Sequence, residues 1–206
     1  MLAGRPLLAY TADAARSSRA LTRVVLSTED DEIAAVGRQL GIDVPFLRPA
    51  ALAADETPML DVLTDLVASL ERQEQYRPEV LVLLQPTSPF RRAGHIDAAV
   101  ELLLSTGADS VVTVVPVPHQ FTPSSLMQMQ GDRLVPYDAG GPTRRQDKPL
   151  LFARNGPAVV AVRTRVVTDG HALYGADTRG LVMAREESFD IDDAFDLEVA
   201  ERLMVR

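Results

Sequence analysis

The sequence predicts an α/β fold, a doubly wound and mostly parallel sheet layered between helices. Three observations carry this. Short apolar runs alternate with segments of helical period from Pro6 to Val115. Two of those runs, Val80 to Leu84 and Ser110 to Val115, are apolar on both faces, as strands inside a parallel sheet are. The order of elements up to Val115 is α-β-α-β-α-β-α-β.

Each element has its own signal. Pro6 to Ser18 puts Leu7, Leu8, Thr11, Ala12 and Ala15 on one helical face. Arg23 to Ser27 is a short β-branched run bounded by polar residues. Asp31 to Leu40 spaces Ile33, Val36, Gly37 and Leu40 as a helix does, and Gly41 stands where a helix C-cap belongs. Ile42 to Leu47 is a second short extended run. Thr57 at N-cap and Pro58 at N1 open an amphipathic helix that runs to Gln75. The Val80–Leu84 strand leads into Gln85-Pro86-Thr87-Ser88-Pro89, then a helix from Gly94 to Leu104. Pro116 to Lys148 breaks the pattern, being rich in Pro, Gly, Gln and Ser. We read residues 116–150 as an inserted arm suited to dimerisation. Regular structure resumes at Ala158–Arg163, Thr164–His171 and Leu181–Ala184, and a helix from Asp193 to Met204 closes a single domain over 1–206. The chain opens on a helix, where a doubly wound sheet has a strand and a phosphate-holding turn.

Composition removes several function classes. With 206 residues, 46% hydrophobic and 24% charged, the chain has the balance of a globular domain. No apolar run approaches the roughly 20 residues that span a bilayer, and no secretory signal is legible, which makes the cytoplasm the default location. The net charge of −8 is opposite to that of a non-specific nucleic-acid binder. The absence of cysteine excludes disulfides, thiolate catalysis and Cys-based zinc sites. Lys148 is the only lysine among 21 basic residues, so an anionic ligand has to be met by arginine or by a metal ion.

Three segments have chemistry. The first, Gln85 to Arg92, follows a buried strand, where ligands of open α/β sheets collect. The Gln85 amide suits a base edge or a sugar, and Arg91 and Arg92 suit phosphate. The competing reading is a plain helix start, with Ser88 at N-cap, Pro89 at N1 and solvated arginines. The second is Ser188-Phe189-Asp190-Ile191-Asp192-Asp193. In extended chain Asp190 and Asp192 share a face, and two adjacent carboxylates suit Mg²⁺ bound to a triphosphate. The competing reading is a cap for the last helix by Asp192 or Asp193. The third, Thr143 to Asp147 with Asn155-Gly156 beyond it, offers Arg144 and Arg145 to a carboxylate or phosphate, or to a dimer contact. Arg48 and Thr57 read alone as loop and cap residues. His95, His119 and His171 are scattered, and no catalytic role is assigned to them.

In this order and spacing, these segments resemble the acylneuraminate cytidylyltransferases, or CMP-sialic acid synthetases. The resemblance rests on Gly-Arg-Pro-Leu-Leu-Ala-Tyr-Thr (4–11), Val-Leu-Ser-Thr-Glu-Asp-Asp-Glu-Ile-Ala (25–34), Pro-Phe-Leu-Arg-Pro (45–49), Leu-Leu-Gln-Pro-Thr-Ser-Pro-Phe-Arg (83–91), Ala-Asp-Ser-Val-Val-Thr-Val (108–114), Arg-Arg-Gln-Asp (144–147), Asn-Gly (155–156) and Ser-Phe-Asp-Ile-Asp (188–192). It implies a three-layer fold like the nucleotide-diphospho-sugar transferases, with a small dimerisation arm and a homodimer. It also implies CTP and a nonulosonic acid as substrates, a CMP-sugar and pyrophosphate as products, and Mg²⁺ as cofactor. On matched positions Asp190 and Asp192 would hold the metal, and Gln85 would meet the acceptor sugar. Arg48 and Thr57 would lie near the cytidine, and Arg145, Gln146 and Asn155 would face the sugar or its carboxylate.

The sequence departs from that family at its front. Members open with a strand and an Ala-Arg-x-Gly-Ser-Lys loop that cradles the triphosphate, and neither precedes Gly4 here. The expectation is an N-terminally truncated domain, with a gap or free edge in the sheet beside Val24–Leu26 or Val80–Leu84. Two other readings compete with catalysis of sialate-type chemistry. One is a non-catalytic relative that binds a nucleotide or dimerises, and the other is a cytidylyltransferase for the eight-carbon acid Kdo.

Overall fold

The computed structural model describes residues 1–138, 140–142, 144–154, 156 and 158–204. Helix α1 (Leu7–Ser17) is followed by α2 (Asp31–Gln39) and α3 (Met59–Glu74). Strand β1 (Val80–Leu83), helix α4 (Ala93–Thr106) and strand β2 (Ser110–Pro116) come next. A hairpin of β3 (Met127–Gln130) and β4 (Arg133–Pro136) stands apart from the main sheet. The chain returns through β5 (Phe152–Arg154), β6 (Val160–Arg163), α5 (Thr164–Thr168), β7 (Thr178–Val182) and α6 (Ala194–Met204).

The main sheet runs in the order β1-β6-β2, with β7 on the far side of β2. Strand β6 is antiparallel to both β1 and β2, whereas β7 is parallel to β2. Thus β1, β2 and β7 point one way, and β6 is wedged between two of them in the opposite direction. Since β7 takes one edge of β2 over Ser110–Val114, β5 and β6 must share the other. They meet it in two stretches, Val112 opposite Val160 and Val114 opposite Arg154, so the ladder breaks between Arg154 and Val160. Thr113 sits opposite the break, fully buried. Its N–H donates to the Val159 carbonyl at 3.0 Å, and its Oγ1 accepts from the Val159 N–H at 3.0 Å.

Two apolar layers explain why these strands read as continuous hydrophobic runs. On one face Val111, Val159 and Ala161 pack against Ile96, Ala99, Val100 and Leu103 of α4, joined by Ala14 of α1. On the other, Val112, Val114, Val160 and Val162 pack against Leu63 of α3 and Val166 and Val167 of α5. Strand β1 follows the same alternation, with Val80 and Val82 towards α4 and Leu81 and Leu83 towards α3 and α5. A third cluster joins Leu2, Ile191 and Ala200 of α6, and fixes the start of the chain against its end.

Several local expectations shift. The runs at Val24–Leu26 and Ile42–Val44 do not join the sheet. Among the described residues their one strand-like pairing is with each other, parallel, through Leu26 N–H to the Asp43 carbonyl at 2.8 Å and Asp43 N–H to the Val24 carbonyl at 3.0 Å. Among the described residues the outer edge of β1 has no strand partner, and all four β1 residues are only half-buried, whereas β6 beside it is almost wholly buried. The free edge lies at the end of the sheet, along Val80–Leu83. Helix α3 begins at Met59 with Pro58 as N-cap and no side-chain cap, so Thr57 does not cap it. The strand read at Leu181–Ala184 is centred earlier, because β7 pairs from Thr178, where Asp177 and Ser110 bring the two chains together. Among the described residues no helix is long and apolar enough to cross a membrane.

Candidate active site

The site is built where β1 ends. Two prolines stiffen the Gln85–Arg91 loop, and its middle is tied to a loop a hundred residues away. The Ile191 N–H donates to the Thr87 carbonyl at 2.9 Å, and Ser88 Oγ donates to Asp190 Oδ1 at 3.1 Å. The rings of Phe90 and Phe189 meet edge to face, 6.4 Å apart. Ser88 therefore does not cap a helix. Helix α4 starts later, at Ala93, where Arg92 is the N-cap and the Arg92 N–H donates to His95 Nδ1 at 3.1 Å. Pro89 delays the helix instead of opening it.

Gly156 completes the cluster from the third side. It sits in the break between β5 and β6 at a φ of +34°. A Cβ at this position would overlap the Asp190 carboxylate, so only glycine lets the chain pass this close. Asp190 is thus half-buried between the Ser88 hydroxyl and the Gly156 backbone.

Arg91 lies beneath this cluster and is 3% exposed. Its Nη1 donates to the Gln85 carbonyl at 3.1 Å and to the Ala158 carbonyl at 2.8 Å. Its Nη2 donates to Thr11 Oγ1 of α1 at 2.6 Å, and its Nε is buried with no partner. Among the described residues no carboxylate reaches it within ion-pair distance. Burial pushes the guanidinium down to about 10, and the negative charge of Asp190 works against that shift. A fixed cation, a carboxylate and the backbone of Gln85 thus meet at the carboxyl end of β1, where ligands of open α/β sheets collect.

Comparison with known proteins shows the family of the chain. A family model described as Cytidylyltransferase matches residues 1–165. The chain belongs to the cytidylyltransferase family. It is 33% identical over 205 residues to a CMP-N,N'-diacetyllegionaminic acid synthase of Legionella pneumophila, covering 99% of this chain and 87% of that one. It is 30% identical to an N-acylneuraminate cytidylyltransferase of Escherichia coli, covering 97% of this chain and 46% of that one. In fold it is similar to a CMP:2-keto-3-deoxy-manno-octonic acid synthetase complexed with CTP, with a TM-score of 0.72 at 14% identity, covering 100% of this chain and 90% of that one. As a cytidylyltransferase the chain is a nucleotidyl-transfer enzyme.

The remaining residues singled out in this cytidylyltransferase lie around the centre unevenly. Asp192 is exposed, and its N–H donates to Asp196 Oδ2 at 3.1 Å. Asp193 takes the capping role, its Oδ1 accepting from the Asp196 N–H at 2.9 Å. That leaves Asp190 and Asp192 as the carboxylates free for a cation. No group of three or more His, Cys, Asp or Glu side chains forms a metal cluster among the described residues. A cation held by Asp190 and Asp192 would therefore take its remaining oxygens from phosphate and water, as Mg²⁺ does with one or two carboxylates.

Arg48 belongs to a second group, at the carboxyl end of the Val24–Leu26 run. Its N–H donates to the Thr28 carbonyl at 2.8 Å, its guanidinium is bound by Glu29, and its Nε is buried without a partner. The hydrogen bond from Arg48 holds the Glu29 carboxyl below the usual carboxylate range. Thr57 is half-buried before α3 and donates its N–H to the Ala54 carbonyl. Arg145 and Gln146 are exposed in a 3-10 turn of the arm, and no hydrogen bond or ion pair joins them to Asp190. Asn155 lies outside the described residues.

Sequence reasoning assigned no role at the site to Ser88 and Thr11. It also took Arg91 for a phosphate-facing or solvated arginine. The solvated partner is Arg92, which pairs with Glu187 at 2.9 Å.

Proposed function

We propose that this cytidylyltransferase joins the cytidylyl group of CTP to a nonulosonic acid of the sialic or legionaminic type. The observation that supports this most is the Ser88–Asp190 contact. It draws the Gln85 loop and the Ser188–Asp192 loop into one centre, and both loops carry motifs of the resemblance. The similarity to the legionaminic acid synthase over nearly the whole chain supports the nine-carbon class of acceptor.

In the reaction, the anomeric 2-hydroxyl oxygen of the sugar acid bonds to the α-phosphorus of CTP. The bond from that phosphorus to the bridging oxygen breaks, pyrophosphate leaves, and the hydroxyl proton is lost. Little covalent work falls to the protein, so positioning and charge supply the catalysis. Gln85 would orient the sugar hydroxyls through its amide. Arg48 and Thr57 would approach the cytidine, and Arg145, Gln146 and Asn155 the sugar carboxylate, the arm ones after moving inward. Asp190 and Asp192 would hold Mg²⁺, which supplies charge neutralisation at phosphate oxygens.

The test is product formation from CTP, Mg²⁺ and each of sialic, legionaminic, pseudaminic and Kdo acids, read as pyrophosphate release and CMP-sugar. Turnover with a nine-carbon acid is expected. Product from Kdo alone would replace this reading with the eight-carbon one, and no product from any acid would favour a non-catalytic relative.

We further propose that the arm makes a homodimer. The hairpin exposes Met127, Met129, Leu134 and Tyr137, and Phe121 and Phe152 lie exposed at its base. A chain with net charge −8 that still exposes this many large apolar residues in one insertion fits a covered surface. Sedimentation is expected to give a dimer, and a monomer at all concentrations would reject it. A cytoplasmic location is part of the same proposal.

A further inference from the structure

We propose that Arg91 is a positioning residue of the nucleotidyl-transfer site, pinning the Gln85–Phe90 loop, helix α1 and the Ala158 end of the β5–β6 break in one register so that Gln85 and Asp190 face the same centre. This rests on the cytidylyl-transfer reading for its consequence, though not for its geometry.

The geometry is specific to a guanidinium. The three acceptors, Gln85 O, Ala158 O and Thr11 Oγ1, belong to three separate stretches of chain. All three are neutral, and none is a carboxylate. A planar fork with donors on both Nη atoms reaches all of them together, which a single ammonium cannot do. The arrangement is also costly. A buried cation without an ion-pair partner loses hydration, and the unpaired Nε adds to that cost. Apolar packing would fill the same space without either penalty. A residue kept at such a cost, in contact with the backbone of the sugar-facing glutamine, acts on the arrangement of the site.

The link to Asp190 has two arms. Ser88 lies in the loop whose first carbonyl Arg91 holds, and Ser88 donates to Asp190. Ala158 follows Gly156 by two residues, and the Gly156 backbone meets the other side of the same carboxylate. Releasing Arg91 therefore frees both walls around Asp190. The adjacent Arg92 makes no such contact and pairs at the surface with Glu187, which makes it the natural control.

The experiment compares Arg91→Lys, Arg91→Met and Arg92→Lys with the parent chain. The first readout is amide hydrogen exchange, which needs no turnover. In Arg91→Lys, exchange is expected to rise several-fold in 85–90 and 158–160, while α3 and α4 keep their protection. Unchanged exchange in those two segments would overturn the proposal. So would a rise spread evenly over the molecule, which would make Arg91 a general core residue. The second readout is steady-state kinetics. Arg91→Lys is expected to lower kcat by roughly ten- to a hundredfold, with KM for CTP within about twofold, as misplacement of a reacting group does. Raised exchange with unchanged kcat would also overturn it. If the parent chain itself forms no CMP-sugar, the parent reading fails, and the exchange result still decides whether Arg91 pins these segments. If Arg91→Met does not fold, Arg91→Lys, which keeps the charge but gathers its donors on a single nitrogen, decides alone.

Discussion

Ser88 shows how far a local reading carries at the scale of one residue. A serine before a proline is a good helix cap, yet its hydroxyl bonds to a carboxylate 102 residues away. Local sequence cannot rank those two partners, because both are one hydrogen bond and only the fold brings the second within reach. The sequence marks Asp190 as a candidate carboxylate for a cation, and replacing it makes that role testable. Asp190→Asn keeps the size and an acceptor for Ser88 but removes the charge. Pyrophosphate release should fall by about a hundredfold or more, while the melting temperature moves by only a few degrees. Unchanged turnover would remove Asp190 from the catalytic set. Gly156→Ala should act on the same carboxylate from the other side. A methyl at this position meets the Asp190 carboxyl and a positive φ together. The expected outcome is a stability loss of about 1–3 kcal/mol with turnover lowered as in Asp190→Asn, measured by denaturant melts and the same assay. A variant as stable and active as the parent would show that the close approach does not matter.

At the scale of elements, the sequence placed the helices and central strands well because their apolar periods are long and regular. It misplaced starts and ends wherever a distant group supplied the cap. Asp97 is an example. It lies on α4 yet accepts from Ser18 Oγ at 2.5 Å and from the N–H groups of Arg19 and Ala20 at 3.0 and 3.1 Å. Those groups are where α1 ends, so one carboxylate locks the exit of α1 to α4. The hydrogen bond from Ser18 comes first among the causes that hold the Asp97 carboxyl below its ordinary range. A depressed carboxyl stabilises the fold above its unfolded value of about 4 and loses that contribution as pH falls through its folded value. Asp97→Asn should therefore lower stability by about 1 kcal/mol at neutral pH, and the gap to the parent should close below about pH 4. Thermal melts between pH 3 and 8 check this, and a gap independent of pH would refute it. His95 closes the start of α4, its Nδ1 accepting from the Arg92 N–H and its Nε2 lying 3.2 Å from Glu187.

At the scale of the whole molecule, the free edge of β1 dominates. Val80 to Leu83 pack on both faces but have one unpaired edge among the described residues, and each stays half-buried. Such an edge is a template for another strand. We expect light scattering on heating to rise with protein concentration before the helical signal is lost. A sharp, reversible melt at high temperature, independent of concentration, would contradict this. By itself, the sequence determined the α/β class, the two-faced strands, the helices packed on them, the separate arm and the identity of the key side chains. These, apart from the roles of Ser88, Thr11 and Arg91, follow from apolar period and residue chemistry, which are local. Only the tertiary structure decided that β6 runs antiparallel between β1 and β2, that the ladder breaks opposite Thr113, and that Ser88, Gly156 and Arg91 surround Asp190. Those are long-range pairings, chosen by which surfaces bury together and which buried donors find acceptors, and no window of neighbouring residues contains that information.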